Sequence, residues 1–287
     1  MKKIGFIGLG KMGAGVCHNF VNKGFTVSLY DKNPAAMEQF KEKAKLCDNP
    51  VDVFNKSDCT FLSLPSSVQV EELVSFFMKE GVKGKTIIDL STSYPMSTRK
   101  LHAEFKANGG AFLDAPLQGN PASALKGTLT ALVGGDEEDF KDNEELFNAF
   151  CTRATLVGGS GAGHLYKLAF NFTGLSYAVT LSHMFPLMEK YGIDIQQLFD
   201  EMTQSTLDCG VLRLYGPKIV NRNYRNDFAL GFGLKDLTYI RQLFEEFKVP
   251  AYIVDAELTL LRTAVKEGRE ANDFSECSAV MREFLGI

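Results

Sequence analysis

At 287 residues the chain is long for one domain and short for three, so two domains are expected, each large enough to bury its own core. Hydrophobic residues at 45% and charged residues at 23% are ordinary globular values. A formal net charge of -4 provides no basic surface for nucleic acid, and the most apolar long stretch, residues 165–188, is interrupted by Lys167, Asn171 and His183, which argues against a membrane span.

The six cysteines are scattered without a CxxC pair, as free thiols in a reducing compartment would be, and no metal site is expected. The opening Met-Lys-Lys and its short apolar run lack a cleavage pattern, so the sequence reads as cytoplasmic rather than secreted.

From residue 1 to about 160, short apolar runs alternate with amphipathic stretches. Strands are predicted at residues 4–8, 26–30, 60–64, 86–90, 111–114 and 129–133. This alternation predicts an α/β fold, a Rossmann-type doubly wound parallel sheet with helices on both faces. The glycines in 158–163 read as a hinge, which puts the domain boundary between residues 162 and 163. Beyond it the period becomes helical, with helices predicted at 163–191, 195–204, 234–248 and 253–267 and a loop at 221–227, so residues 163–287 form a C-terminal all-α domain. The 163–191 segment is apolar around much of its circumference, as expected of a buried helix, and Pro186 is expected to kink it or end it early.

The first predicted strand runs directly into Gly8-Leu9-Gly10-Lys11-Met12-Gly13, a GxGxxG loop. In that context the first glycine permits a tight turn, the second lets backbone approach a pyrophosphate, and the third lets the following helix pack closely. The amides of Lys11 and Met12 then point from the helix N-terminus toward phosphate. Asp31 stands 18 residues beyond Gly13 at the end of the next predicted strand, where a carboxylate accepts from ribose hydroxyls and repels a 2'-phosphate. NAD is therefore expected over NADP, although Lys32 beside it offers a cation for NADP.

Four blocks in order resemble the β-hydroxyacid dehydrogenase family, whose members act on 3-hydroxyisobutyrate, tartronate semialdehyde and sulfolactaldehyde. They are residues 8–13, the stretch Asp114-Ala115-Pro116-Leu117-Gln118-Gly119-Asn120, the stretch Gly161-Ala162-Gly163-His164-Leu165-Tyr166-Lys167 with Asn171, and Lys235-Asp236-Leu237. The resemblance spans nearly the whole chain and implies an NAD(P)-dependent dehydrogenase or reductase acting on CH–OH groups. It further implies Leu64 and Thr92 as cofactor neighbours, Lys235 reaching both cofactor and substrate, and a homodimer or homotetramer joined through the α domain.

Lys167 and Asn171 are four apart and share one helix face. Removing hydride from a carbinol carbon requires the hydroxyl proton to leave as well, so a general base is needed, and Lys167 is the candidate. A lysine ordinarily keeps its proton to about pH 10.4, so it needs desolvation or a neighbouring cation such as Lys235. Asn171 is expected to hold the reacting hydroxyl or the lysine amine. His164 abuts this block and is a possible lining residue.

The family's substrate block reads Pro-Val-Ser-Gly-Gly, whereas here Gln118 and Asn120 replace the serine and the second glycine. Gln118, Gly119, Asn120 and Ser123 are the expected substrate ligands, with an anion site of altered shape. The resemblance implies a small 3- or 4-hydroxy acid or the matching semialdehyde as substrate; the changed block counts against plain 3-hydroxyisobutyrate and favours, as the alternative, a more polar or longer semialdehyde carrying a carboxylate or sulfonate, reduced with NADPH. An imine reductase shares this architecture, but a lysine at 167 favours an alcohol or carbonyl. A non-catalytic nucleotide-binding module is the reading from another class.

Overall fold

The computed structural model describes residues 2–287. The chain divides into two compact units, the first extending to Lys167 and the second spanning Leu168–Ile287.

The first unit runs β1 (Ile4–Ile7), α1 (Lys11–Asn22), β2 (Val27–Tyr30), α2 (Pro34–Glu38), β3 (Lys45–Leu46), α3 (Pro50–Asn55), β4 (Cys59–Leu62), α4 (Ser67–Glu80), β5 (Thr86–Asp89), α5 (Pro95–Ala107), β6 (Ala111–Asp114), β7 (Leu117–Gln118), α6 (Pro121–Lys126), β8 (Leu129–Gly134), α7 (Glu137–Phe147) and β9 (Cys151–Gly158). These strands form one sheet in the order β3-β2-β1-β4-β5-β6-β8-β7, with β9 also paired to β8. From β3 to β6 every pairing is parallel, while β8 lies antiparallel to both β6 and β7. The strand order reverses beside β1, and at such a switch point the crevice beyond the carboxyl ends of the strands takes a ligand.

Alternation along the strands explains why the sheet is buried on both faces. Phe6, Phe61, Ile88 and Leu113 point to one side, where Val16 and Phe20 of α1 and Phe147 of α7 cover them. Ile7, Leu62, Ile87 and Phe112 point to the other, under Phe54, Val74, Phe77, Leu101 and Phe105 of α3, α4 and α5.

α8 (Ala162–Lys190) starts in the first unit and continues into the second. There it is followed by α9 (Ile195–Thr203), α10 (Gly210–Val220), α11 (Leu230–Glu246), α12 (Tyr252–Lys266), a 3-10 turn at Phe274–Glu276 and α13 (Cys277–Leu285). Two points about α8 differ from expectation, the early end at Pro186 and the burial around its circumference. Pro186 does not end it: four further helical residues follow, with Phe185 and Pro186 both buried, so tertiary packing outweighs the lost amide. Nor is the helix buried all round, since Tyr166, Phe170 and Met184 are 48%, 56% and 42% exposed.

Among the elements that escape the sequence pattern, β9 and α10 do so for identifiable reasons. β9 is an edge strand with Thr152 and Arg153 exposed, so its apolar alternation is weak. α10 contains Gly210, Gly216 and Pro217, all poor helix residues. Gly216 is needed there because a Cβ would lie 2.5 Å from the Phe199 ring of α9.

Candidate functional site

In the first unit Gly8–Gly13, Asp31, Leu64 and Thr92 follow the carboxyl ends of the parallel strands β1, β2, β4 and β5. β1 ends into the glycine loop, and each glycine has its own reason. Gly8 has φ +96 and faces the Ser63 backbone, while a Cβ on Gly13 would strike the Gly8 carbonyl. Gly10 is different: its φ is -66 and an added Cβ would meet nothing within 4 Å. Nothing in the protein requires glycine at that position. Gly10 is also the N-cap of α1 and, lacking a side chain, caps none of its first amides. An uncapped helix start behind an unobstructed glycine fits a dinucleotide pyrophosphate.

Asp31 closes this loop from β2. Its Oδ2 accepts from the Leu9 amide at 2.6 Å and its Oδ1 from the Asn33 amide at 2.7 Å, so the carboxylate is locked in direction. Lys32 is exposed beside it.

The loops after β4 and β5 are tied together. The Leu64 amide donates to Ser91 Oγ at 2.9 Å. Fully buried Asp89 accepts from the Ser91 amide and the Ser93 hydroxyl, so Thr92 stands between two anchored serines.

β7 and the turn into α6 hold the expected substrate block. The Lys167 ammonium donates to the Leu117 carbonyl at 2.8 Å, which puts the candidate base beside this strand. Gln118 is half-buried, and its Nε2 is buried with no hydrogen-bond partner, an orphan donor of the kind a ligand acceptor satisfies. Gly119 has φ +131 and packs against Leu129, and only glycine takes that turn readily. Asn120 caps α6, its Oδ1 accepting from the Ser123 amide at 2.9 Å. The block's replacement of glycine by asparagine thus has a local structural use, and Gln118 remains as its unpaired donor.

In the second unit, Asn171 Nδ2 donates to Asp236 Oδ2 at 2.6 Å, and the Lys235 ammonium lies 3.0 Å from Oδ1 of the same carboxylate. That second approach is an ion pair off the hydrogen-bonding direction, so Oδ1 has no aligned donor. Lys235 also sits 5.3 Å from the Tyr239 ring centroid, a cation–π contact one helical turn along α11. Asp236 is buried and meets both side chains, so it fixes their placement within this unit.

His164 is fully buried and lines no open surface, which corrects the expectation placed on it. Asp89 and Asp114, to which the sequence reading gave no role, are fully buried. They close the observed strands β5 and β6, where the sequence reading put the end of β5 one residue later, at Leu90.

Among the described residues no helix is long and apolar enough to cross a membrane and no three-residue metal-ligating group occurs. All six cysteines are free, and burial pushes the Cys59 and Cys277 thiols up to about 12.

Two family profiles match in tandem. Residues 3–159 match the NAD binding domain of 6-phosphogluconate dehydrogenase, and residues 161–281 the NAD-binding region of NADP-dependent 3-hydroxyisobutyrate dehydrogenase. The chain is 30% identical to 2-hydroxy-3-oxopropionate reductase of Escherichia coli strain K12, over 84% of this chain and 83% of that protein. It is 28% identical to mitochondrial 3-hydroxyisobutyrate dehydrogenase of Rattus norvegicus, over 98% and 87% respectively. Among solved structures, 3-hydroxyisobutyrate dehydrogenase of Mycobacterium tuberculosis with L-serine superposes with TM-score 0.88 at 24% identity, covering 98% of this chain and 99% of that one.

Proposed function

The chain belongs to the β-hydroxyacid dehydrogenase family, and we propose that its reversible hydride transfer between NAD(H) and a small 3- or 4-hydroxy acid, or the matching semialdehyde, uses Lys167 as general acid and base. The observation that supports this most directly is the Lys167 ammonium 2.8 Å from the Leu117 carbonyl, beside the substrate block and on the opening turns of α8.

When bound, NAD supplies the hydride acceptor. In the oxidation Lys167, as the free amine, takes the hydroxyl proton while the carbinol C–H electron pair leaves as hydride and the carbonyl forms. In the reduction the ammonium returns that proton to the carbonyl oxygen. Gly8, Gly10, Lys11, Met12 and Gly13 receive the pyrophosphate, Leu64 and Thr92 flank the cofactor, and Asp31 holds the ribose. Gln118, Gly119, Asn120 and Ser123 face the substrate, with Gln118 Nε2 donating to its anionic group. Asn171 orients the reacting hydroxyl, and Lys235 supplies the second cation.

Asp31 supports NAD over NADP, because its two backbone bonds keep the carboxylate from swinging away from a 2'-phosphate. The orphan Gln118 amide supports a second substrate reading, a semialdehyde bearing a carboxylate or sulfonate, since it offers a longer-reaching donor than serine. The exposed Tyr166, Phe170 and Met184 of α8 fit a homodimer or homotetramer, and a cytoplasmic setting fits the free thiols.

The test is a panel of C3 to C5 hydroxy acids and semialdehydes, including 3-hydroxyisobutyrate, L-serine and sulfonated members, assayed with NAD(H) and NADP(H). Lys167→Met should abolish turnover with NADH binding retained. Substantial residual turnover at neutral pH refutes the lysine assignment, and no turnover of any member refutes the substrate class.

A further inference from the structure

His164 is a fully buried imidazole that the proposed chemistry does not use, and its surroundings are unusually well defined. Its Nε2 lies 3.0 Å from the Ser91 carbonyl, which can only accept, so this nitrogen donates. Its Nδ1 is 2.9 Å from Thr98 Oγ1 of α5. Two fully buried carboxylates flank the ring, Asp89 Oδ2 at 3.8 Å from Nε2 and Asp114 Oδ2 at 3.9 Å from Nδ1.

Asp114 also grips the backbone on which His164 sits. Its Oδ1 accepts from the Gly161 amide at 2.8 Å and its Oδ2 from the His164 amide at 2.9 Å. These are donors at the start of α8 that the helix itself leaves unpaired, and a negative group there also meets the positive end of the helix dipole. Space for the carboxylate is made by Gly134 and Gly163, since a Cβ on either would press into it. Three residues after Asp114 the Leu117 carbonyl takes the Lys167 ammonium, so one short stretch of chain holds α8 at both Gly161–His164 and Lys167.

Lys167 follows His164 by three residues, on the same side of the helix. The imidazole joins that turn to Ser91, whose hydroxyl accepts from the Leu64 amide and whose neighbour is Thr92. One side chain thereby connects the turn bearing the amine to the loops proposed to flank the cofactor.

We propose that His164 is a positioning residue that, with Asp114, sets where Lys167 stands by clamping the opening turn of α8 to the carboxyl ends of β5 and β6. This rests on the reading of Lys167 as the acid and base. Reacting groups lose about 100-fold in rate when displaced by roughly 1 Å, so a clamp on the adjacent turn acts on the chemical step far more than on cofactor binding.

The test compares His164→Leu, His164→Gln and Thr98→Val with wild type and Lys167→Met, using 3-hydroxyisobutyrate or L-serine deuterated at the carbinol carbon. His164→Leu should lower kcat by about 100-fold with a change in the NADH Kd of no more than about threefold and a larger deuterium isotope effect on kcat, because hydride transfer becomes slower than product release. His164→Gln, which keeps a donor for the Ser91 carbonyl, should recover most of kcat. Thr98→Val removes the hydroxyl's contacts with His164 and with the Tyr94 carbonyl and should cost about 10-fold with the same isotope signature. A purely structural role predicts a lower melting temperature and less active enzyme, with an unchanged isotope effect per active site.

Unchanged kcat and isotope effect in folded His164→Leu overturn the proposal. Should that variant not fold, the same result in Thr98→Val overturns it. An active Lys167→Met defeats the lysine reading instead, and an inactive one beside unaffected His164 and Thr98 variants defeats only the clamp.

Discussion

Gly10→Ala and Gly13→Ala separate the two reasons for a glycine in the phosphate loop. At Gly10 the backbone already has φ -66 and an added methyl meets no protein atom within 4 Å. The substitution restricts the unfolded chain, which stabilises by about 0.4–1 kcal/mol, and worsens an N-cap by a similar amount, so the net change in stability is within about 1 kcal/mol. Its methyl instead occupies space proposed for pyrophosphate. Loss of one or two charge-assisted bonds at about 1.5–3 kcal/mol each raises the NADH Kd by at least about tenfold. At Gly13 the methyl is driven into the Gly8 carbonyl and against Ser63, so the cost falls on the fold, about 1–3 kcal/mol or more. Thermal melting without cofactor and fluorescence titration with NADH measure the two effects apart. Wild-type NADH affinity in Gly10→Ala, or wild-type melting in Gly13→Ala, refutes the reasoning.

Glu257 is buried on α12, and desolvation pushes its carboxyl up, against the smaller opposing effect of the Ser176 hydroxyl. Because the folded state then holds its proton to higher pH than the unfolded chain, this group lowers stability as pH rises from the ordinary glutamate range through its folded value. Glu257→Gln should therefore melt higher than wild type at pH 8, with the gap closing toward pH 4, and a gap independent of pH contradicts this. Asp31→Asn keeps an acceptor for the Leu9 amide while removing the charge, and should raise NADPH relative to NADH in kcat/KM by about tenfold. An unchanged ratio would show that Asp31 does not choose the cofactor. Asp236→Asn leaves the Lys235 ammonium without its buried counter-charge and should cost about 1–3 kcal/mol in urea unfolding, and an unchanged midpoint would mean that the pair is idle.

Local pattern was enough for much of this protein. The glycine loop, the alternating runs of β1, β2, β4, β5, β6 and β8 and the helical texture after residue 160 follow from steric and burial rules that act over a few residues, so the doubly wound sheet and the helical C-terminal part were legible in the sequence. Lys167, Asn171 and Lys235 were legible through the resemblance of ordered blocks. What only the tertiary structure decided depends on groups far apart in the chain. Asp114 caps a helix that begins 48 residues later, Asp236 meets Asn171 across 65 positions, and His164 reaches Ser91 across 73, none of which leaves a local period. The same holds for Pro186, which α8 runs past with the residue buried, and for Gln118 and Asn120, alike as turn residues in sequence. Folding gave one a helix to cap and left the other with a buried amide and no partner. Hydrogen-bond satisfaction is a property of the folded neighbourhood, and a linear pattern does not encode it.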